Sequence, residues 1–261
     1  MPTTSPFTSP AVGDGLRVLP SGPQIALGSR TEQQDSAAVV IRPRVAIAVV
    51  CDGVGSTPDA ALCAALATEA AVEHLSVLGA RRRTGSYLMA TERAVVQRLN
   101  AAVSSRMLHR EAKSTLAAAA ILGDVCWAVT MGDSRVTLVR DGRVVATTTP
   151  HSEQFQAALG ITDGRGGSGP HHLTRWLAPT GEGGAAAVCC WSARPGDVVI
   201  VSSDGLEEAV PLWRMARVVA TALLRGEDVA AALLAEVSIS APLGADNTAI
   251  AVLCTTSVRM H

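Results

Sequence analysis

This sequence lacks an excess of basic charge. Lysine and arginine together number 22 against 23 aspartates and glutamates, a net charge of −1 at pH 7. A nucleic-acid module, which normally carries a basic face, is therefore disfavoured. Lysine is nearly absent: Lys113 is the only one, and by itself it carries no functional reading. The six cysteines show no C-x-x-C spacing, so neither a zinc knuckle nor a disulfide framework is indicated. Most of them lie inside apolar segments and read as small buried hydrophobes in a reducing, cytoplasmic setting. The first 15 residues have no basic n-region and no apolar h-region, so they do not read as a secretory signal. No run of about 18 uncharged apolar residues appears, and no membrane span is expected.

What is present is a hydrophobic fraction of 48% over 261 residues, enough for one domain with a substantial core. Residues 1–22 are rich in Pro, Ser, Thr and Gly and read as a flexible arm, leaving 23–257 as a single domain. Strand-like runs at 37–41 and 45–51 precede a helix over 56–79. Ser56 or Thr57 can cap that helix, Pro58 suits its first turn, Asp59 favours its positive end and Gly79 stops it. Apolar residues at helical spacing predict a second helix over 87–109. The period then changes, and Asp141-Gly142 between Val139 and Val144 predicts a hairpin. A short loop covers 153–173. Strands near 186–191 and 197–203, helices at about 211–223 and 227–236, and a strand at 247–254 complete the chain. Helices set between groups of hairpin-linked strands favour an α+β layered sandwich over a doubly wound sheet.

Three aspartates stand at strand edges: Asp52 in "IAVVCDGVGST", Asp204 in "DVVIVSSDGLE" and Asp246 in "GADNTAIAVLC". A buried carboxylate is costly unless something pairs with it. Each is therefore a turn residue or a ligand. Hard divalent cations take oxygen donors, and a pair of them needs several carboxylates converging on one cleft. A glycine after the aspartate lets a backbone carbonyl approach an ion without a Cβ in the way. Asp35 and Asp133 are plausible additions to the group. Taken singly, Asp-Gly after a strand is usually only a turn, and spacing alone leaves both readings open.

Order and wording say more. "GSRTEQQDS" (28–36), "VVCDGVGS" (49–56), "VTMGDSRVTLVRDGRV" (129–144), "TTTPHS" (147–152), "LTRWL" (173–177), "VIVSSDGL" (199–206) and "DNTAIAVL" (246–253) occur in succession. Together they resemble the metal-dependent protein phosphatases, the PPM or type 2C serine/threonine phosphatases, in their compact bacterial form. The resemblance runs from about residue 25 to 254. It implies a four-layer αββα sandwich, two mainly antiparallel sheets flanked by helices, with two Mn²⁺ or Mg²⁺ ions in a cleft at one edge. Asp52 would bridge the ions with the Gly53 carbonyl as a further ligand, and Asp204 and Asp246 would complete the site. Asp35 would bind metal directly or through water, and Asp133 would help hold a third, looser ion. Arg30 would grip the substrate phosphate. The implied reaction is hydrolysis of phosphoserine and phosphothreonine by direct attack of a metal-bridging water, without a phosphoenzyme.

The resemblance also implies a cytoplasmic monomer whose partner is a phosphorylated protein, a Ser/Thr kinase or its target, with no nucleic acid and no membrane. Two departures bear on activity. Gln34 stands where many members have Glu, which would loosen an ion slightly. Val54-Gly55-Ser56 stands where members often place a histidine proposed as general acid. The missing histidine motivates one alternative, a catalytically weak regulatory or binding module, and the shortened flap at 153–173 permits another, a phosphatase of small phosphorylated metabolites. Asn247 reads as orienting the Asp246 loop, Thr115, Arg135, His151 and Arg175 as structural, and His171 and His172 as solvated loop residues.

Overall fold

The computed structural model describes residues 11–13, 16–55, 59–80, 97–98, 101–102, 105–106, 112–159, 172–178 and 182–257. In chain order the elements are β1 (Ala11–Gly13), β2 (Leu16–Ala26), β3 (Asp35–Arg42), β4 (Val45–Val54), α1 (Ala60–Ala80), β5 (Lys113–Ser114), β6 (Leu116–Leu122), β7 (Val125–Met131), β8 (Arg135–Arg140), β9 (Arg143–Thr147), α2 (Glu153–Ala158), β10 (Ala187–Ser192), β11 (Val198–Ser202), α3 (Asp204–Ala209), α4 (Leu212–Arg225), α5 (Val229–Ser240) and β12 (Thr248–Ser257).

One sheet runs β1-β2-β12-β11-β8-β9 and the other β10-β7-β6-β4-β3, with β5 extending alongside β4. Neighbouring strands pair antiparallel throughout. Strands buried on both faces sort their side chains by period two. On β4, Val45, Ile47, Val49 and Cys51 join a core beneath α1, while Ala46, Ala48 and Val50 face the other sheet. On β11, Val199 and Val201 face inward, while Val198 and Ile200 pack under α3, α4 and α5. Three apolar layers thus separate four structural ones, and the expected αββα sandwich is the fold.

Local punctuation agrees with the sequence in several places. Asp141 (φ 51°) and Gly142 (φ 69°) form the tight connection between β8 and β9, both residues having the positive φ that a two-residue hairpin loop requires. The Asp228 carboxylate caps α5 by accepting from the Ala231 N–H at 2.7 Å, and Gly226 closes α4 in the left-handed region at φ 66°. Helix α1 is long and apolar enough to cross a membrane by composition. It carries Glu69 and Glu73, however, and buries Cys63, Ala64, Ala67, Ala71 and Leu75 against β4 and its neighbours. It is a core helix.

Two expectations need correction. Residues 16–22 are not an arm: they belong to β2, which pairs with β12 from Leu16↔Ser257 to Ala26↔Thr248. Pro20 and Pro23 obscured the strand. They are tolerated because, among the described residues, β1 pairs only with Leu16 and Arg17 and asks no N–H of either proline. Likewise 153–158 are helical rather than loop, started by the Ser152 hydroxyl accepting from the Phe155 N–H at 3.4 Å. Residues 1–10, 56–58 and 160–171, His171 among them, lie outside the described residues. So does most of the helix expected over 87–109, although 97–98, 101–102 and 105–106 are helical.

Candidate metal centre

The strand ends of both sheets meet at one edge of the sandwich. Asp52 closes β4 and Asp35 opens β3 on one sheet; Asp204 follows β11 and Asp246 precedes β12 on the other. Asp133 lies in the turn from β7 to β8, where the chain crosses between sheets. Carboxylate oxygens of Asp52, Asp133 and Asp204 come within 4.8 Å of one another. A cavity of about 810 Å³ opens here, lined by Arg30, Gln34, Asp52, Gly53, Asp133, Asp204 and Asp246 among others. Six of the seven residues singled out for the site therefore share one cavity.

Asp35 is the exception. It stands opposite Asp52 in the β3–β4 register but is not a lining residue. Its Oδ2 accepts from the Ser203 hydroxyl at 2.7 Å, and its buried Oδ1 has no hydrogen-bond partner. Burial pushes the Asp35 carboxyl up to about 6, against the Ser203 hydrogen bond. Asp52 is raised well above the usual carboxylate range by burial, then by Asp35 and Asp204. Asp204 is raised by burial, then by Asp133 and Glu208. Crowded buried carboxyls that resist ionising alone are the arrangement a multivalent cation relieves.

A backbone framework holds these groups. The Thr115 Oγ1 accepts from the Asp52 N–H at 2.9 Å and lies 2.6 Å from the Ser134 hydroxyl, joining the Asp52 and Asp133 turns. Asn247 Oδ1 accepts from the Gln34 N–H at 2.9 Å, and its Nδ2 donates to the Leu27 carbonyl at 2.8 Å. It therefore ties the Arg30 loop to the Asp246 loop. Arg30 pairs with Asp246 across the cavity mouth. Gln34, with its amide turned to donate, places Nε2 3.3 Å from the Gly53 carbonyl oxygen and 3.2 Å from that of Gly55. The amide holds that carbonyl where a carboxylate would repel it.

The glycines after Asp52 and Asp204 are required by the backbone around them. A Cβ on Gly53 would meet the Ala60 carbonyl oxygen at 2.5 Å, and one on Gly205 would meet the Asn247 carbonyl oxygen at 2.3 Å. Neighbouring backbone leaves no room for a side chain at either position.

Glu208 also lines the cavity and escaped the sequence reading. Its signal was its place four residues after Asp204, on the same helix face. Beside it, Glu207 is half-buried; its Oε1 accepts from the Ser202 hydroxyl at 2.8 Å, and loss of solvent pushes it up to about 7 against the pull of Arg135. His151 is a structural residue: its N–H donates to the Gly132 carbonyl at 2.8 Å and its Nε2 lies 3.4 Å from Arg175 Nη1. Burial, then Arg175, lowers it to about 4, so the ring is neutral and accepts. No histidine lines the cavity among the described residues.

The sequence model of the family described as protein phosphatase 2C matches residues 26–237. Among solved structures, the S. agalactiae serine/threonine phosphatase superposes with a TM-score of 0.69 at 18% identity, over 92% of this chain and 99% of that one. The Mycobacterium tuberculosis serine/threonine phosphatase PstP/Ppp superposes with a TM-score of 0.69 at 23% identity, over 92% and 98%. The catalytic domain of PstP in complex with two manganese ions gives 0.67 at 23% identity, over 93% and 99%. No curated protein sequence matches the chain.

Proposed function

Because the chain belongs to the protein phosphatase 2C family of metal-dependent phosphatases, we propose that its acidic cavity hydrolyses phosphoserine and phosphothreonine in proteins with the help of bound Mn²⁺ or Mg²⁺. The observation that carries this is the convergence of Asp52, Asp133 and Asp204, oxygens within 4.8 Å, from three separate parts of the chain. An all-carboxylate set suits a hard cation.

The residues fit such ions. Asp52, Asp204 and Asp246, with the Gly53 carbonyl, would hold a pair, and Asp133 with Glu208 would offer oxygens for a third. Asp35, opposite Asp52 in the β3–β4 ladder, would act on the metal through Asp52 or through a water. When bound, the cations neutralise phosphate charge and lower the pKa of water that attacks phosphorus.

The chain's own groups do the rest. Arg30, more than half exposed at the mouth, turns its guanidinium from Asp246 to the substrate phosphate, which it can meet through two parallel hydrogen bonds. Thr115 and Asn247 fix the Asp52 and Asp246 turns, so the ligands meet the ions without rearranging. Gln34 aims the Gly53 carbonyl. The buried thiols of Cys51, Cys63 and Cys126, outside any disulfide, fit a reducing compartment such as the cytoplasm, where a Ser/Thr kinase would generate the substrate.

Manganese-dependent hydrolysis of p-nitrophenyl phosphate and of phosphothreonine peptides, lost in Asp52→Ala and Asp204→Ala, is the expected result. No turnover of either substrate at saturating Mn²⁺ would defeat the proposal. Turnover confined to small phosphorylated metabolites would move the substrate class instead.

A further inference from the structure

The single lysine of the chain stands beside the cavity. Strand β5 continues the β4–β6 ladder in unbroken register: Val50 faces Ala117, Gly53 faces Ser114 and Val54 faces Lys113. Residues directly opposite in an antiparallel pair project from the same face, as do residues two apart on one strand. Lys113 therefore shares its face with Val54 and Asp52, both of which line the cavity. It is the diagonal neighbour of Asp52, a relation that spans about 7–8 Å and lies within reach of a long side chain.

A second chain segment seats this lysine. Ser114 and Leu177 exchange backbone hydrogen bonds of 2.9 and 2.7 Å, which lays 176–177 along the free side of β5. Trp176 falls diagonal to Lys113, and the Lys113 ammonium sits 4.3 Å from its ring centroid. The Trp176 backbone is itself fixed by a 3.0 Å bond from its N–H to the Gly183 carbonyl. Leu173, three residues earlier in this segment, lines the cavity. An exposed lysine ordinarily loses rotamer freedom on meeting a ligand. Stacking on an aromatic face places this one in advance.

The surroundings say what it would meet. The cavity is lined by carboxylates, and its guanidinium, Arg30, stands among the residues of the β2–β3 loop. Along the β4–β5 wall, a substrate side chain of negative charge would meet the Lys113 ammonium, the one basic group that these two strands carry. We propose that Lys113, held on Trp176, is a substrate subsite for an anionic side chain next to the phosphorylated residue, either a carboxylate or a second phosphate. The proposal rests on the phosphoprotein reading above.

The test uses phosphothreonine peptides identical except for one neighbour of the phosphothreonine: alanine, aspartate or phosphoserine. Wild-type protein is expected to prefer both anionic peptides over the alanine peptide in kcat/KM. Lys113→Gln should remove that preference, with a loss of about two- to fivefold on the anionic peptides and little on the neutral one. Lys113→Glu should invert it, and Trp176→Leu should weaken it in the same direction. A loss confined to one anion names the carboxylate or the phosphate as the natural ligand. A wild type with no preference, or equal losses on all three peptides in a Lys113 variant of unchanged melting temperature, overturns the subsite. Failure of wild-type protein to hydrolyse p-nitrophenyl phosphate with Mn²⁺ overturns the reading of the metal cavity instead, and the subsite with it.

Discussion

Asp35 and Asp52 stand directly opposite one another across the β3–β4 ladder, two acids at a position where like charges are destabilising. Both carboxyls lie above their ordinary range, Asp35 moving from 3.8 to about 6. The folded, metal-free protein therefore holds protons that the unfolded chain releases, and its stability falls as pH rises from about 4 through about 6. Cations compete for the same oxygens and should reverse the trend. Manganese at about a hundred times its dissociation constant should raise the melting temperature by about 5–10 °C. The rise should be larger near pH 8 than near pH 6, as thermal melts at the two values would show; a larger rise at the lower pH would contradict this linkage.

Replacing Asp52 by asparagine separates stability from activity. The amide keeps the shape and removes a buried charge, and it can donate to the unpartnered Asp35 Oδ1. The metal-free melting temperature should rise, corresponding to about 1–2 kcal/mol near pH 8. The manganese-induced shift should vanish, and turnover should drop by about a hundredfold or more. Calorimetry with and without Mn²⁺ checks both halves.

Gly205→Ala gives a test of opposite signs. By helix propensity alone, alanine would favour α3 by about 1 kcal/mol. Its Cβ would meet the Asn247 carbonyl oxygen at 2.3 Å and the Thr248 hydroxyl at 2.6 Å, so the turns carrying Asp204 and Asp246 must separate. Denaturant unfolding should show a loss of about 1–3 kcal/mol, accompanied by weaker manganese binding in titration calorimetry.

Acid acts on His151 in the other direction. Its ring titrates near 6.5 when free and about 4 when folded, so the unfolded chain takes the proton first. That part of the stability is present above about pH 6.5 and is lost as pH falls toward 4. His151→Gln keeps an acceptor for Arg175 without a titrating group. The urea midpoint at pH 7 minus that at pH 5 should be smaller, or more negative, in this variant than in wild type, because the opposing contribution of the raised carboxyls is common to both.

Much of the fold was legible because burial on both faces writes a simple code. The continuous apolar run of β4 and the Asp141-Gly142 turn each have one good structural solution. β2 was hidden because its partner β12 lies at the far end of the sequence, and because its prolines are tolerable only beside a short edge strand. The candidate site divides in the same way. Asp52, Asp133 and Asp204 were recognisable from motif order, and the chain brings their oxygens together. The place of Asp35 behind Asp52, the Arg30–Asp246 pair and the Gln34 contact with Gly53 depend on loops meeting in space, which neighbouring letters do not record.

The layer between the two sheets is built largely from methyl groups: Ala46, Ala48, Ala117, Ala119, Ala249 and Ala251 meet there with a few valines and leucines. Asp52 rides on one slab and Asp204 with Asp246 on the other. The gap between Asp52 and the Asp204–Asp246 side is thus set by the thickness of this spacer, well away from any carboxylate. A bulkier residue wedged among those alanines would act as a jack, prising apart acidic side chains that it never touches.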